Sequence, residues 1–372
     1  MKIPFFDLSV RDPKIKKDLI KAFKKVLDHG KFILGPEVSL LESQISKNLK
    51  VKYVIAVSSG SSAIFLSLKS LNLKSDDEVI TTPLSWIISS NAIIEAGAKP
   101  VFVDINSDLN ISPNSIENAI TKKTKAILIV HFAGLMCDMR KIKKIAKKYN
   151  LYLIEDGAQA YGAHNNGVGV GQHSTIASLS FNSMKVLNSF GEAGAVVTNN
   201  KKLYQKIKIL RYAGTFSDPN KIITNQTKYS SLNHKIDTVQ SSLILIMLKY
   251  LPMRMKRRNE IALRYNKGLA NYVQVPNFDT RSKHALYSYI IRTKKRNQLM
   301  NFLNDNGIET KIYHKPLIPN SNIFKKYKKH DLFNANIAIK EVLSLPANEK
   351  ITNKQLKYII SKIQFFFQNV SS

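Results

Sequence analysis

From about residue 50 the chain alternates short apolar runs with stretches whose apolar positions recur at intervals of three and four. Residues 53–57 (YVIAV), 78–82 (EVITT), 101–105 (VFVDI), 126–130 (AILIV) and 151–155 (LYLIE) read as strands. Between them, 61–71, 86–97, 113–122 and 140–149 read as helices. The strands are apolar at nearly every position, the mark of strands covered on both faces. The pattern therefore predicts an α/β fold built on a mostly parallel sheet. Residues 175–198 change character: TIASLSF and GAVVTN predict two strands joined by a lysine-bearing loop and set antiparallel to the others. Farther on, 234–272 predicts a long helix broken at Pro252. Then 286–293, 298–307 and 308–313 predict strand, helix and strand, and 334–342 and 353–368 two more helices. This divides the chain into a large domain, 1–245, and a smaller C-terminal α+β domain, 246–372.

Composition narrows the class. With 44% apolar and 22% charged residues the chain can bury a core, in spite of a net charge of +31 from 57 basic and 26 acidic residues. No apolar run approaches the ~20 residues that span a bilayer, and the opening MKIPFFDLSVRDPK has no signal-like stretch. The single cysteine, Cys137, excludes an intrachain disulfide framework and reads as a buried residue. The eight histidines show no metal-ligand spacing. The expectation is a cytoplasmic globular protein. The basic excess invites a nucleic-acid reading, but 47 of the basic residues are lysines scattered from Lys2 to Lys362. That is the pattern of a solvated surface, and specific base recognition favours the arginine fork. Attraction of an anionic small substrate stays open.

Four segments carry candidate chemistry, each at the end of a predicted strand, where open α/β sheets place ligands. In 58-SSGSSA-63, Gly60 allows close backbone approach, and Ser61 and Ser62 offer hydroxyls at a helix N-terminus. That suits a phosphate, and an ordinary capped helix explains it equally. In 155-EDGAQAYGA-163, Asp156 ends an apolar strand, and a buried carboxylate there needs a cationic partner such as a protonated ring nitrogen. In 178–198, Lys185 stands alone between an apolar strand and a Gly-rich turn, with no other lysine within ten residues on either side. A lysine among apolar and hydroxylic neighbours can form a Schiff base. In 233-NHKIDTVQSS-242, Asn233 reads as a helix N-cap or a polar site residue. Gly167, Gly169 and Gly171 form a tight loop or hairpin and no dinucleotide fingerprint, since no helix follows them.

In this order these segments resemble the DegT/DnrJ/EryC1/StrS family of sugar aminotransferases, pyridoxal-phosphate (PLP) enzymes with the aspartate-aminotransferase (type I) fold. Residues 30–42 (GKFILGPEVSLLE), 81–105 and 126–139 (AILIVHFAGLMCDM) are similar to its other blocks. The resemblance implies that Lys185 holds PLP covalently and acts as general acid and base, and that Asp156 pairs with the pyridine nitrogen. It implies further that Gln159 meets the phenolic oxygen and Trp86 stacks on the ring. Ser61, Ser62 and Ser180 would contact the phosphate, joined by Asn233 of the partner subunit in a homodimer with shared active sites. Departures are Ser183 and Ala193 around the lysine, His234-Lys235 after Asn233, and Ile318 where many members carry a histidine.

The implied activity is transamination of a keto-sugar nucleotide with L-glutamate as donor. The opening HGKFILGPEV resembles members acting at C3, pointing to a dTDP-3-keto-6-deoxyhexose. Lys185 argues against relatives that replace this lysine with histidine and dehydrate their substrates. Two alternatives compete with this reading: another type I PLP activity on an amino acid or small ketone, and a basic binding protein that retains the fold. Substrate choice would rest on loops 212–231 and 313–330.

Overall fold

The computed structural model describes residues 1–215, 226–278 and 282–370. Two helices open it. α1 (Pro13–His29) is started by Asp12, whose carboxylate accepts from the N–H groups of Lys14 and Ile15, and stopped by Gly30 at φ +65°. α2 (Pro36–Leu49) follows. The alternating region then runs β1 (Tyr53–Val57), α3 (Gly60–Lys69), β2 (Glu78–Thr81), α4 (Ile88–Glu95), β3 (Lys99–Phe102), α5 (Pro113–Ala119), β4 (Thr124–Val130), α6 (Met139–Lys148) and β5 (Tyr152–Asp156). A hairpin of β6 (His164–Asn165) and β7 (Val168–Gly169) turns through Asn166 at φ +50° and Gly167 at φ +79°, as the glycine spacing predicts. Next come β8 (Ile176–Ser180), β9 (Gly194–Thr198) and α7 (Lys201–Arg211).

The main sheet has seven strands in the order β1-β9-β8-β5-β4-β2-β3. β8 runs parallel to β5, whereas β9 is antiparallel to both β8 and β1. Of the two strands expected to oppose the others, only β9 does so. Because β9 lies between β1 and β8, the C-terminal ends of β1, β4, β5 and β8 share one edge of the sheet. Both faces are buried, one by a cluster containing Ile80, Ile127, Leu153 and Leu179, the other by a cluster containing Ile55, Leu128, Ile154 and Val196.

α8 (Thr238–Leu269) is continuous through Pro252, where the sequence predicts a break. Pro252 is exposed, while Leu251 and Met255 beside it are buried and hold the helix against its cores. Packing outweighs the roughly 3 kcal/mol that an interior proline costs a helix. The N-cap is Asp237, which accepts from Gln240 N at 2.7 Å, not Asn233. Ile244 and Met247 of α8 join the large core, and Ile261 and Tyr265 join a second core. The boundary expected at 245/246 thus falls inside one helix. Past β10 (Ser282–Lys283), which extends the hairpin, the second core is built by β11 (Tyr289–Arg292), α9 (Arg296–Asp305), β12 (Val342–Leu345) and α11 (Asn353–Phe365), while Ala335 and Ala338 of α10 (Phe333–Glu341) pack in a separate cluster with Ile290 and Val342. The strand expected at 308–313 is absent: only isolated bridges, Ile3 with Ile308 and Lys311 with Ser344, form there. The antiparallel partner of β11 is β12, directly after a helix that the sequence places one residue too far along the chain.

Candidate active site

The shared edge gathers the predicted segments. After β1, the Ser59 hydroxyl caps α3 by accepting from Ser62 N at 3.0 Å. The first-turn N–H groups that helix geometry leaves unpaired face the end of β8. A Cβ on Gly60 would lie 2.6 Å from Ser180 Cβ, so only glycine lets α3 begin this close to β8. Ser62 Oγ lies 2.9 Å from Ser58 Oγ and 3.0 Å from His234 Nδ1, and Ser61 is exposed. Gly60, Ser61, Ser62 and Ser180 therefore cluster as a small-residue cradle with a helix N-terminus behind it.

On the neighbouring strand β5, Asp156 is 6% exposed. Its Oδ2 accepts from Ser89 Oγ at 2.7 Å and its Oδ1 from Ala158 N at 3.1 Å. Ser89 is itself within 3.0 Å of Ser85 Oγ. No ion-pair partner of Asp156 occurs among the described residues. Gln159 Oε1 accepts from Ala133 N at 2.7 Å, which orients the amide and leaves its NH₂ free to donate on the other side. Strand alternation sends Glu155 to the opposite face, fully buried, where its Oε2 lies 2.7 Å from His131 Nε2 and its Oε1 accepts from Gly171 N at 3.1 Å. His131 Nδ1 accepts from Cys137 N, so the Nε2 proton points at Glu155. This buried pair braces the ends of β4 and β5. Cys137 is buried as expected, and burial pushes its thiol well above the ordinary range.

Beyond β8, the Lys185 side chain is half-buried and its Nζ sits 4.3 Å from the centre of the Tyr287 ring. No carboxylate pairs with it among the described residues. Tyr287 stacks on Tyr313 with centroids 6.0 Å apart. Tyr313 meets His314 at 4.7 Å, and His314 meets Trp86 at 5.7 Å. Trp86 is 59% exposed, an indole face available at the start of α4. Beside the lysine loop opens a cleft of about 580 Å³ lined in part by Phe6, Met184, Lys185, Asn188, Arg254 and Glu349. Arg254 donates to Asn188 Oδ1 at 2.9 Å and to Glu349 Oε1 at 2.7 Å, while Arg258 donates to Glu349 Oε2 at 2.8 Å. The 254-RMKRR-258 run is thus no free basic patch: two of its arginines are buried and clamp the lysine loop to the segment after β12.

Asn233 stands apart from this group. It is exposed, bridges to Tyr212, and turns its Oδ1 to Lys235 N. Its neighbour His234 is the one that reaches Ser62. Ser89, Tyr287, His314, Glu349 and the His131–Glu155 pair are contributions that sequence reading missed. Only His131 and Glu155, polar residues ending apolar strands, carry a local signal. Residues 216–225 of the expected loop 212–231 lie outside the described residues. Among those described, no group of histidine, cysteine and carboxylates could hold a metal, and no helix is long and apolar enough to cross a membrane.

Comparison with known proteins bears on this geometry. The sequence model of the DegT/DnrJ/EryC1/StrS aminotransferase family matches residues 13–364. The chain is 35% identical to the "Pleiotropic regulatory protein" of Geobacillus stearothermophilus, over 99% of this chain and 100% of that one. It is 33% identical to the dTDP-3-amino-3,6-dideoxy-alpha-D-galactopyranose transaminase of Aneurinibacillus thermoaerophilus, over 97% and 98%. The fold superposes on NtdA of Bacillus subtilis, solved with bound cofactor PMP, with a TM-score of 0.91, 31% identity and coverage of 99% and 86%.

Proposed function

Because the chain belongs to the DegT/DnrJ/EryC1/StrS family and is a PLP-dependent aminotransferase of type I fold, we propose that it aminates the keto carbon of a nucleotide-linked sugar. The amino donor is L-glutamate, which leaves as 2-oxoglutarate. The preferred acceptor is a dTDP-3-keto-6-deoxyhexose, supported by the opening HGKFILGPEV and by the likeness to the Aneurinibacillus transaminase along nearly the whole of both chains. A cleft of about 580 Å³ beside Lys185 suits an extended ligand of this size.

The observation that carries the reading is Asp156, a carboxylate buried at the sheet edge with two hydrogen bonds and no cationic partner among the described residues. Burial without a countercharge is costly, and the protonated ring nitrogen of PLP supplies one. The other residues fit the same group: the cradle at Gly60, Ser61, Ser62 and Ser180 would take its phosphate, the Gln159 NH₂ would donate to its phenolic oxygen, and Trp86 would offer a face to its ring. When bound, PLP supplies the carbonyl that captures the amine and the electron sink that makes the adjacent C–H bond acidic. Asp156 keeps the ring nitrogen protonated, and Ser89 fixes the carboxylate for that task. Lys185 Nζ would hold the cofactor covalently, would be freed when the amine of glutamate takes its place on the cofactor, and as a free amine could then carry the proton away from the amino-bearing carbon of glutamate. The same steps run in reverse on the sugar, so donor and acceptor use one lysine in turn.

A substrate panel tests this. With glutamate present, the dTDP-linked 3-keto-6-deoxyhexose is expected to be aminated with kcat/KM at least about tenfold above its 4-keto isomer, GDP- or UDP-linked keto sugars and free keto acids. Preference for a free keto acid would favour an ordinary amino-acid transaminase instead.

The exposed Asn233, set apart from its own chain's cradle, supports a homodimer in which each Asn233 completes the partner's phosphate cradle. Mixing inactive Lys185→Ala with weakened Asn233→Ala protein, under conditions that exchange subunits, is expected to restore about a quarter of wild-type activity. Half of the dimers would then be mixed, each with one intact site. No gain above the sum of the separate variants would place Asn233 outside the partner's site.

A further inference from the structure

The aromatic wall beside Lys185 contains a buried ring nitrogen with nothing to bond. His314 Nε2 is buried and has no hydrogen-bond partner among the described residues. The ring packs against three other rings: Tyr313 at 4.7 Å, Trp86 at 5.7 Å and Phe132 at 6.3 Å. Through Tyr313 and Tyr287 it belongs to the same aromatic wall that carries Lys185 Nζ. Native structures satisfy buried polar atoms, and one left open beside a reactive amine marks a place that a ligand completes. We propose that the His314 imidazole binds a neutral hydroxyl of the substrate's sugar ring through this unpartnered Nε2.

Charge selects the kind of partner. Burial first, and the Lys185 ammonium second, hold the His314 ring down at about 4, so it is neutral at physiological pH. A neutral imidazole has one donor and one acceptor nitrogen, which matches a hydroxyl and is a poor match for a phosphate. The next candidate along the same segment, Ile318, is 2% exposed and packs on Phe102 and Phe324, away from the cleft.

The proposal rests on the sugar-nucleotide reading, and binding separates the two. The PLP-loaded enzyme is titrated by calorimetry with dTDP and with dTDP-glucose, which has neither a ketone nor an amine to react. For His314→Phe, dTDP-glucose is expected to bind about tenfold more weakly while dTDP binds within about twofold of wild type. His314→Gln, which keeps a donor and an acceptor, is expected to recover to within about threefold. Unchanged dTDP-glucose binding by His314→Phe, equal weakening of both ligands, or no recovery in His314→Gln overturns the proposal alone. A wild-type enzyme that ignores dTDP-glucose overturns the sugar-nucleotide reading, and the role of His314 with it.

Discussion

Lys185→Ala is expected to lower turnover by about 10⁴-fold or more, because it removes both the covalent anchor and the proton carrier. The physical case rests on the surroundings of Nζ. It lies over the Tyr287 ring, with no carboxylate in reach among the described residues, so no ion pair competes with bond formation. A second readout is independent of rate. Borohydride treatment of the loaded wild type is expected to fix the cofactor permanently to the chain, and the variant is expected to lose its cofactor on dialysis. Cofactor fixed at another lysine, or turnover within tenfold of wild type, would falsify the assignment.

Glu349→Gln is expected to destabilise the protein by about 3–5 kcal/mol, measured by chemical denaturation. Burial would push this carboxyl up, yet Arg258 and Arg254 outweigh it and hold it down at about 2, against an ordinary 4.5. Removing the charge leaves two buried guanidinium groups facing each other. The pH dependence follows from the sign of the shift. A depressed carboxyl contributes stability that is complete above about 4.5 and is lost as pH falls towards about 2. The gap between wild type and variant is therefore expected to close over that window. Because Arg254 also holds Asn188, three residues past Lys185, the variant is expected to lose cofactor affinity as well. A stability change below about 1 kcal/mol would show the clamp to be idle.

Much of the sheet was legible because its signal is local. Near-continuous apolar runs between amphipathic stretches predict buried parallel strands, and the five runs so read supply five of the seven strands of the sheet. Lys185, Asp156 and Gly60 were also legible, since each sits in or just beyond a strand end, the position where an open sheet exposes ligand sites. Among the readings that failed, two show what tertiary information supplies. Pro252 signals a helix break, but two cores grip α8 and its proline faces solvent. Asn233 looks like a cap, but the neighbouring strand end and α7 hold its segment extended, and Asp237 takes the capping role.

Periodicity and turn chemistry thus set the elements, their order and the polar residues at their ends, because these depend on neighbours along the chain. Which residues meet across the cleft depends on strand order and helix packing, which no period encodes. Insertion of β9 between β1 and β8 brings Gly60 against Ser180. The pleat sends Glu155 to His131 and Asp156 to Ser89. Tyr287, His314 and Glu349 arrive from the C-terminal third, and their roles exist only once burial strips them of water and leaves each with the partner, or the vacancy, that packing supplies.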